Sequence, residues 1–201
     1  MAGKGVGVLS LQGATAPHLE HLRKLGAEPR LVFSRKDLTG LAGLILPGGE
    51  STTMLKLAME LGIWDTLRDL AREIPYWGIC AGSILMAREV ENPSQPSLGV
   101  MDLKVRRNAY GRQLESFQGS VLVGDNPRPA VFIRAPKFVS WGPDVTPMGT
   151  VDGEVAYLES GRHMVTAFHP ELTESSWCHE RFLAKLKHRP NLVKIWLCTH
   201  C

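Results

Sequence analysis

The chain is 201 residues long, 44% hydrophobic and 21% charged, with a formal net charge of +3 at pH 7. That balance suits one globular domain with a full core, and so mild a charge, without any run of like charges, argues against a nucleic-acid partner. No apolar run is long enough to span a bilayer, no signal-peptide pattern opens the chain, and four unevenly spaced cysteines (Cys80, Cys178, Cys198, Cys201) make no disulfide framework.

Val6–Leu11 is an apolar strand ending at Gln12-Gly13. Pro17 opens a helix that carries Leu19, Leu22 and Leu25 inward and stops at Gly26. The glycines at 3, 5 and 7 lie at or before the strand rather than in the turn after it, so they form no dinucleotide fingerprint. Leu31–Phe33 is a second strand, and Leu41–Pro47 a third, apolar enough to be buried on both faces. Gly48-Gly49-Glu50-Ser51-Thr52-Thr53 then leads into a helix with Met54, Leu57, Ala58 and Leu61 at helical spacing. A Gly-Gly turn there exposes backbone N–H groups that suit an anion or a developing oxyanion. It equally serves as a tight turn with Ser51 or Thr52 as N-cap, and the two readings are compatible. Trp64–Glu73 continues as helix. The alternation predicts a parallel sheet with right-handed crossovers and helices on both faces, where ligands sit beyond the carboxyl ends of the strands.

Pro75–Ala87 is the stretch on which the chain turns. Its first half is a short buried strand; from Ser83 on, apolar residues follow helical spacing. Between them, Gly78-Ile79-Cys80-Ala81-Gly82 is the cysteine counterpart of a nucleophile elbow, in which flanking glycines let the backbone turn sharply and lift the side chain to the sheet edge. A thiol at a helix N-terminus also favours its thiolate form. A buried cysteine between packing glycines is the structural alternative.

After the Glu91–Leu98 loop the pattern becomes strands and turns: Val100–Arg106, Ser116–Val123, Ala130–Arg134, Glu154–Glu159 and Met164–Phe168. His169-Pro170-Glu171 closes the last strand and offers an imidazole base with a carboxylate to orient it. Glu174–His188 is a packing helix. Residues 1–190 form one domain, and 191–201 a tail that packs on the body or frays. Cys198-Thr199-His200-Cys201 with Cys178 and His179 has the wrong spacing for a zinc finger, so no metal is expected.

Taken in order, Pro47–Thr53, Gly78–Gly82 and Phe168–Thr173 resemble a class I (triad) glutamine amidotransferase. The chain is similar in particular to the glutaminase subunit of pyridoxal 5′-phosphate synthase, the PdxT/SNO family. That branch is marked by Leu11-Gln12-Gly13, the whole Gly48–Thr53 string, Arg107-Asn108-Ala109-Tyr110-Gly111-Arg112-Gln113, and Val131-Phe132-Ile133-Arg134-Ala135-Pro136. The resemblance runs from about Val6 to about Leu186. It implies an α/β three-layer sandwich of flavodoxin-like type, with a mostly parallel central sheet and antiparallel strands in the C-terminal half.

The resemblance also implies roles. Cys80 is the expected nucleophile, His169 the base and Glu171 its support; Gly48, Gly49 and Ala81 supply the oxyanion hole. Gly49, Glu50, Ser51, Arg107, Ile133 and Arg134 are expected to hold the two charged ends of L-glutamine. For Arg107 the alternative is a solvated loop charge, and for Arg134 a structural ion pair. The implied activity is hydrolysis of glutamine through a Cys thioester, with no cofactor, in a reducing cytoplasm. The implied partner is a (β/α)₈-barrel synthase subunit (PdxS/SNZ family) that takes the ammonia; Gln12 and Gly13 with the 48–53 turn are its expected contact, and docking orders the oxyanion loop. Two departures stand out: Ile79 where threonine is usual, and Ser83 where an aliphatic residue is usual. Another amidotransferase subunit, a non-catalytic docking module and a cysteine peptidase on the same fold are the rival readings.

Overall fold

The computed structural model describes residues 5–108 and 116–187, within which strands and helices alternate before the chain turns all-β. The first half is β1 (Gly5–Leu9), α1 (Ala16–Lys24), β2 (Glu28–Val32), β3 (Gly43–Leu46), α2 (Ser51–Glu60), α3 (Trp64–Leu70), β4 (Tyr76–Ile79) and α4 (Ala81–Met86). The second half is β5 (Ala87–Glu91), β6 (Met101–Arg106), β7 (Ser116–Val123), β8 (Asn126–Ile133), β9 (Lys137–Trp141), β10 (Val145–Val151), β11 (Glu154–Ser160), β12 (His163–Thr166) and α5 (Trp177–Lys187).

A nine-stranded sheet runs in the order β2-β1-β3-β4-β12-β11-β10-β7-β8. Its first five strands are parallel and the remaining pairings antiparallel. From β1 the chain steps outward to β2, returns to β3 and moves the other way to β4. Right-handed crossovers in opposite directions place α1 on one face and α2 with α3 on the other. Accordingly α1 packs against α5, and α2 against α3 and α4. β5, β6 and β9 form a separate small sheet. The expected three-layer α/β sandwich with its antiparallel C-terminal half is thus the observed architecture.

Several expected boundaries move. The second strand is Glu28–Val32 and leaves Phe33 exposed, and Leu61 falls beyond the end of α2 and is exposed too. α1 turns its His18, His21 and Leu22 face inward, while Leu19 and Leu25 are only half-buried. β5, β9 and β10 were not apparent from the sequence. Ala109–Gln113 and the 191–201 tail lie outside the described residues.

Trp77, at the centre of β4, is fully buried and meets Phe182, His18 and His179 with its ring. All six residues of α4 are buried, which is why this short helix is apolar all round. α5 is tied to the antiparallel half by Glu159. That carboxylate accepts from Arg181 Nε and Nη2, both at 2.8 Å, from Lys185 Nζ at 2.9 Å and from the Tyr157 hydroxyl.

Burial works to raise the Glu159 pKa, but these donors outweigh it and hold the group at about 2 rather than its ordinary 4.5. The contribution to stability is therefore complete above pH 4.5 and lost as pH falls toward 2. Glu159→Gln should cost about 2 kcal/mol at neutral pH and flatten the acid decline. Urea unfolding at neutral pH and near pH 3 checks this; an acid dependence identical to wild type would contradict it.

Candidate active site

Four residues of β4 deliver the chain to the carboxyl edge of the sheet, and Cys80 stands at the turn. Its N–H donates to Thr166 O of the neighbouring β12 at 2.8 Å. Its backbone has φ +46° and ψ −101°, a conformation costly for a side-chain-bearing residue and held here by its surroundings. The flanking glycines are needed for close approach. A Cβ on Gly82 would lie 2.0 Å from Leu46 O, and one on Gly78 2.7 Å from the Gly82 carbonyl. The two departures fit this packing. Ile79 is fully buried in β4, and the Ser83 hydroxyl donates to Cys80 O at 2.6 Å, bracing the elbow.

β12 lies beside β4 with Thr166 opposite Ile79, so the chain leaving β12 comes up next to Cys80. His169 follows, its N–H donating to Val131 O of β8 at 2.7 Å. Its Nδ1 lies 2.8 Å from Glu171 Oε1, in the first turn of a 3₁₀ segment, Pro170–Leu172. A carboxylate can only accept there, so Nδ1 carries the proton and Nε2 is free to act as the base. Burial by itself would lower the His169 pKa, but hydrogen bonds to Cys80 and Glu171 raise it above its ordinary value, which strengthens Nε2 as the acceptor of the thiol proton. Burial would likewise raise Glu171; the His169 hydrogen bond and the neighbouring imidazoles keep it below the usual range. Cys178, by contrast, is buried in α5 and its thiol is pushed well up, which leaves it inert.

Around this pair opens a small cleft of about 130 Å³. Gly49, Glu50, Ser51, Cys80, Ala81, Arg107, Ile133, Arg134 and His169, all singled out from the sequence, line it together. Gly48 abuts the His169 ring: a Cβ there would sit 2.1 Å from Cε1. Arg107 is only 9% exposed, which overturns the solvated-loop alternative, and its Nε has no partner among the described residues. Arg134 Nη2 pairs with Glu50 Oε1 at 2.7 Å across the mouth, so it does form the ion pair held open for it, and does so on the cleft wall. Gln12 and Gly13 lie outside the cleft but against its turn. Gln12 Oε1 accepts the Glu50 N–H at 2.7 Å, and Gly13, at φ +99°, leaves a Cβ position 1.9 Å from Gly48 O.

The sequence profile of the SNO glutamine amidotransferase family matches residues 8–188. The chain belongs to that family. A relative from Deinococcus radiodurans, named pyridoxal 5′-phosphate synthase subunit PdxT, is 49% identical over 89% of this chain and 95% of its own length. One of the same name from Solibacter usitatus is 45% identical over 91% and 100%. A crystal structure of a glutamine amidotransferase superposes with a TM-score of 0.85 at 43% identity, covering 90% of this chain and 98% of that one.

The amidotransferase cleft also has parts that the sequence did not reveal. Asn108, Ile84 and Pro136 line it, and Ser51 Oγ donates to Gln95 Oε1 at 2.9 Å. Behind Glu171, three buried histidines converge: His18, His21 and His179. Two of them interrupt the leucine spacing of α1, and His179 drew notice in the sequence only beside Cys178, in a spacing that does not fit zinc. Among the described residues no group of three or more His, Cys, Asp or Glu side chains is arranged to hold a metal.

Gly48→Ala should push His169 off its position and reduce glutamine hydrolysis by about a hundred-fold or more, while leaving the fold intact. Steady-state kinetics beside thermal unfolding checks this; a variant with wild-type turnover would contradict the contact.

Proposed function

We propose that the chain hydrolyses L-glutamine to L-glutamate and ammonia through a thioester on Cys80 and hands the ammonia to a synthase subunit that builds pyridoxal 5′-phosphate. The observation that carries this reading is a nucleophile elbow bearing Cys80 in the same cleft as a His169 whose free Nε2 is set by Glu171. His169 Nε2 takes the thiol proton as Sγ attacks the side-chain amide carbon. The tetrahedral oxyanion forms at the backbone N–H groups of Gly48, Gly49 and Ala81. On collapse, His169 returns the proton to nitrogen and ammonia leaves. A water activated by the same imidazole then cleaves the γ-glutamyl thioester, releasing glutamate and restoring the thiol.

The zwitterionic end of glutamine calls for one cation and one anion. The buried, incompletely partnered Arg107 suits the carboxylate, and Glu50 suits the ammonium. The Glu50–Arg134 pair is solvent-exposed, worth under about 1 kcal/mol, so substrate can exchange for it at little cost. Gly49, Ser51 and Ile133 complete the walls. The names of the relatives favour pyridoxal 5′-phosphate synthase over other amidotransferase assemblies, and the family resemblance implies a (β/α)₈-barrel subunit as the acceptor of ammonia. Gln12 and Gly13 are the proposed contact. Because Gln12 grips the Glu50 N–H, pressure on that corner passes to the oxyanion turn. No helix among the described residues is long and apolar enough to cross a membrane, and the setting we propose is the cytoplasm.

Cys80→Ala, assayed with the barrel synthase, should lose glutamine-supported pyridoxal 5′-phosphate formation by at least about a thousand-fold. Formation from added ammonium salt should stay within about two-fold of wild type, since only the glutaminase step is removed. Unchanged glutamine-supported formation by the variant would overturn the proposal.

A further inference from the structure

Glu171 is nearly as buried as any residue in the protein, at 3% exposed, yet His169 engages only one of its oxygens; Oε2 has no partner among the described residues. A carboxylate held by a side chain through one oxygen depends on its other neighbours to fix its plane, and turning it would misdirect the imidazole it supports. His18 of α1 lies close to the oxygen that His169 already holds. His18 Nε2 lies 3.8 Å from Glu171 Oε1, and the ring is completely buried. His18 Nδ1 is 3.0 Å from His179 Nε2 of α5, and Trp77 closes the group with its ring edge-on to both imidazoles. His21 adds a contact to the backbone, with Nε2 3.3 Å from Glu171 O and Nδ1 2.8 Å from Ser176 Oγ.

The proton positions follow from what each nitrogen faces. If His18 Nδ1 donated to His179, the lone pair of His18 Nε2 would face the carboxylate. His179 Nδ1 would then carry a buried N–H with no acceptor among the described residues. The opposite arrangement turns that lone pair away from the carboxylate. His179 Nε2–H donates to His18 Nδ1, a bare lone pair is left on His179 Nδ1, and His18 Nε2–H, which has no hydrogen-bond partner among the described residues, faces the Glu171 carboxylate at 3.8 Å, the more favourable surroundings for an unpaired N–H.

Burial also keeps the donors neutral, since it lowers the His18 pKa to about 4 against the opposing pull of Glu171, and that of His179 to about 2. Neutrality matters here. A full positive charge behind Glu171 would compete with the His169 imidazolium for the carboxylate, whereas a neutral N–H steadies it and leaves its charge directed forward.

We propose that His18 is a positioning residue for glutamine hydrolysis. It presents a neutral N–H toward Glu171 Oε1, the oxygen that His169 holds, with its own tautomer fixed by His179, and so extends the Cys80–His169–Glu171 line two imidazoles into the core. The inference rests on the functional reading above and adds to it. At 3.8 Å the contact is electrostatic and longer than a hydrogen bond.

The test compares variants of the full chain with its synthase partner, by glutamine-hydrolysis kinetics and urea unfolding. His18→Phe keeps an aromatic ring against Trp77 but has no N–H; His18→Gln places an amide nitrogen near the position of Nε2. The Phe variant should retain stability while kcat falls about 10- to 100-fold and KM stays within about two-fold. The Gln variant should be the less stable of the two and the more active, with kcat within about three-fold of wild type. A role in packing alone would make activity follow stability. Wild-type kcat in the Phe variant, or an equal loss in a folded Gln variant, would overturn the inference. If the Phe variant does not fold, His18→Asn takes its place, because its shorter amide reaches toward His179 and not Glu171; equal kcat for Asn and Gln would then overturn the inference. A wild-type chain that hydrolyses no glutamine would end the functional reading itself, while wild-type turnover with an unaffected Phe variant ends this inference alone.

Discussion

The site depends on one short contact, the 2.8 Å hydrogen bond from His169 Nδ1 to a carboxylate that is almost fully withdrawn from water. Withdrawing Glu171 carries a desolvation penalty, and the His169 N–H that lies against it is the largest of the contacts that offset it. The same bond fixes which nitrogen of His169 is bare, so it decides whether Cys80 has a base beside it. The triad is therefore a single buried unit, and the fold's task is to bring its members from β4 and β12 to one edge.

The sheet accomplishes this with two kinds of pairing. The parallel half places the Gly48-Gly49 turn and the Cys80 elbow at the carboxyl ends of β3 and β4, next-door strands. The antiparallel half leads away through β11, β10 and β7, and β8 then returns to pair with His169 through Val131. This return brings Ile133 and Arg134 over the nucleophile, with Cys80 Sγ 3.8 Å from Ile133 O. Arg134 keeps φ at +42°, an unfavourable angle for an arginine, at the point where β8 must end and face the cleft. Strands far from the chemistry thus shape the wall that faces it.

Much of this was legible in the sequence because its cues are local. The elbow is written in two glycines around Cys80, the oxyanion turn in Gly48-Gly49, and the base with its orienting partner in three consecutive residues, His169-Pro170-Glu171. What was not legible depends on which distant surfaces meet. Leucine spacing in α1 pointed to Leu19 and Leu25, whereas packing against α5 and Trp77 selected His18 and His21. Those histidines gain their place from His179 and Glu171, more than a hundred residues away, and no local pattern encodes that. β9 and β10 were missed for a related reason: as half-buried strands with polar and proline-containing faces, they gain stability from partners and not from their own composition. The same limit applied to Arg107, whose burial comes from the tertiary fold.

The account's central claim is that Glu171, through His169, makes Cys80 the reacting nucleophile of a glutamine site. A chloroketone analogue of glutamine, applied to the full chain with its synthase partner and followed by peptide mapping, tests it directly. The expected result is one adduct, on Cys80, prevented by glutamine and formed at least about a hundred-fold more slowly in Glu171→Gln. Labelling at Cys178 in the folded protein, or an undiminished rate at Cys80 without the Glu171 carboxylate, would contradict the account.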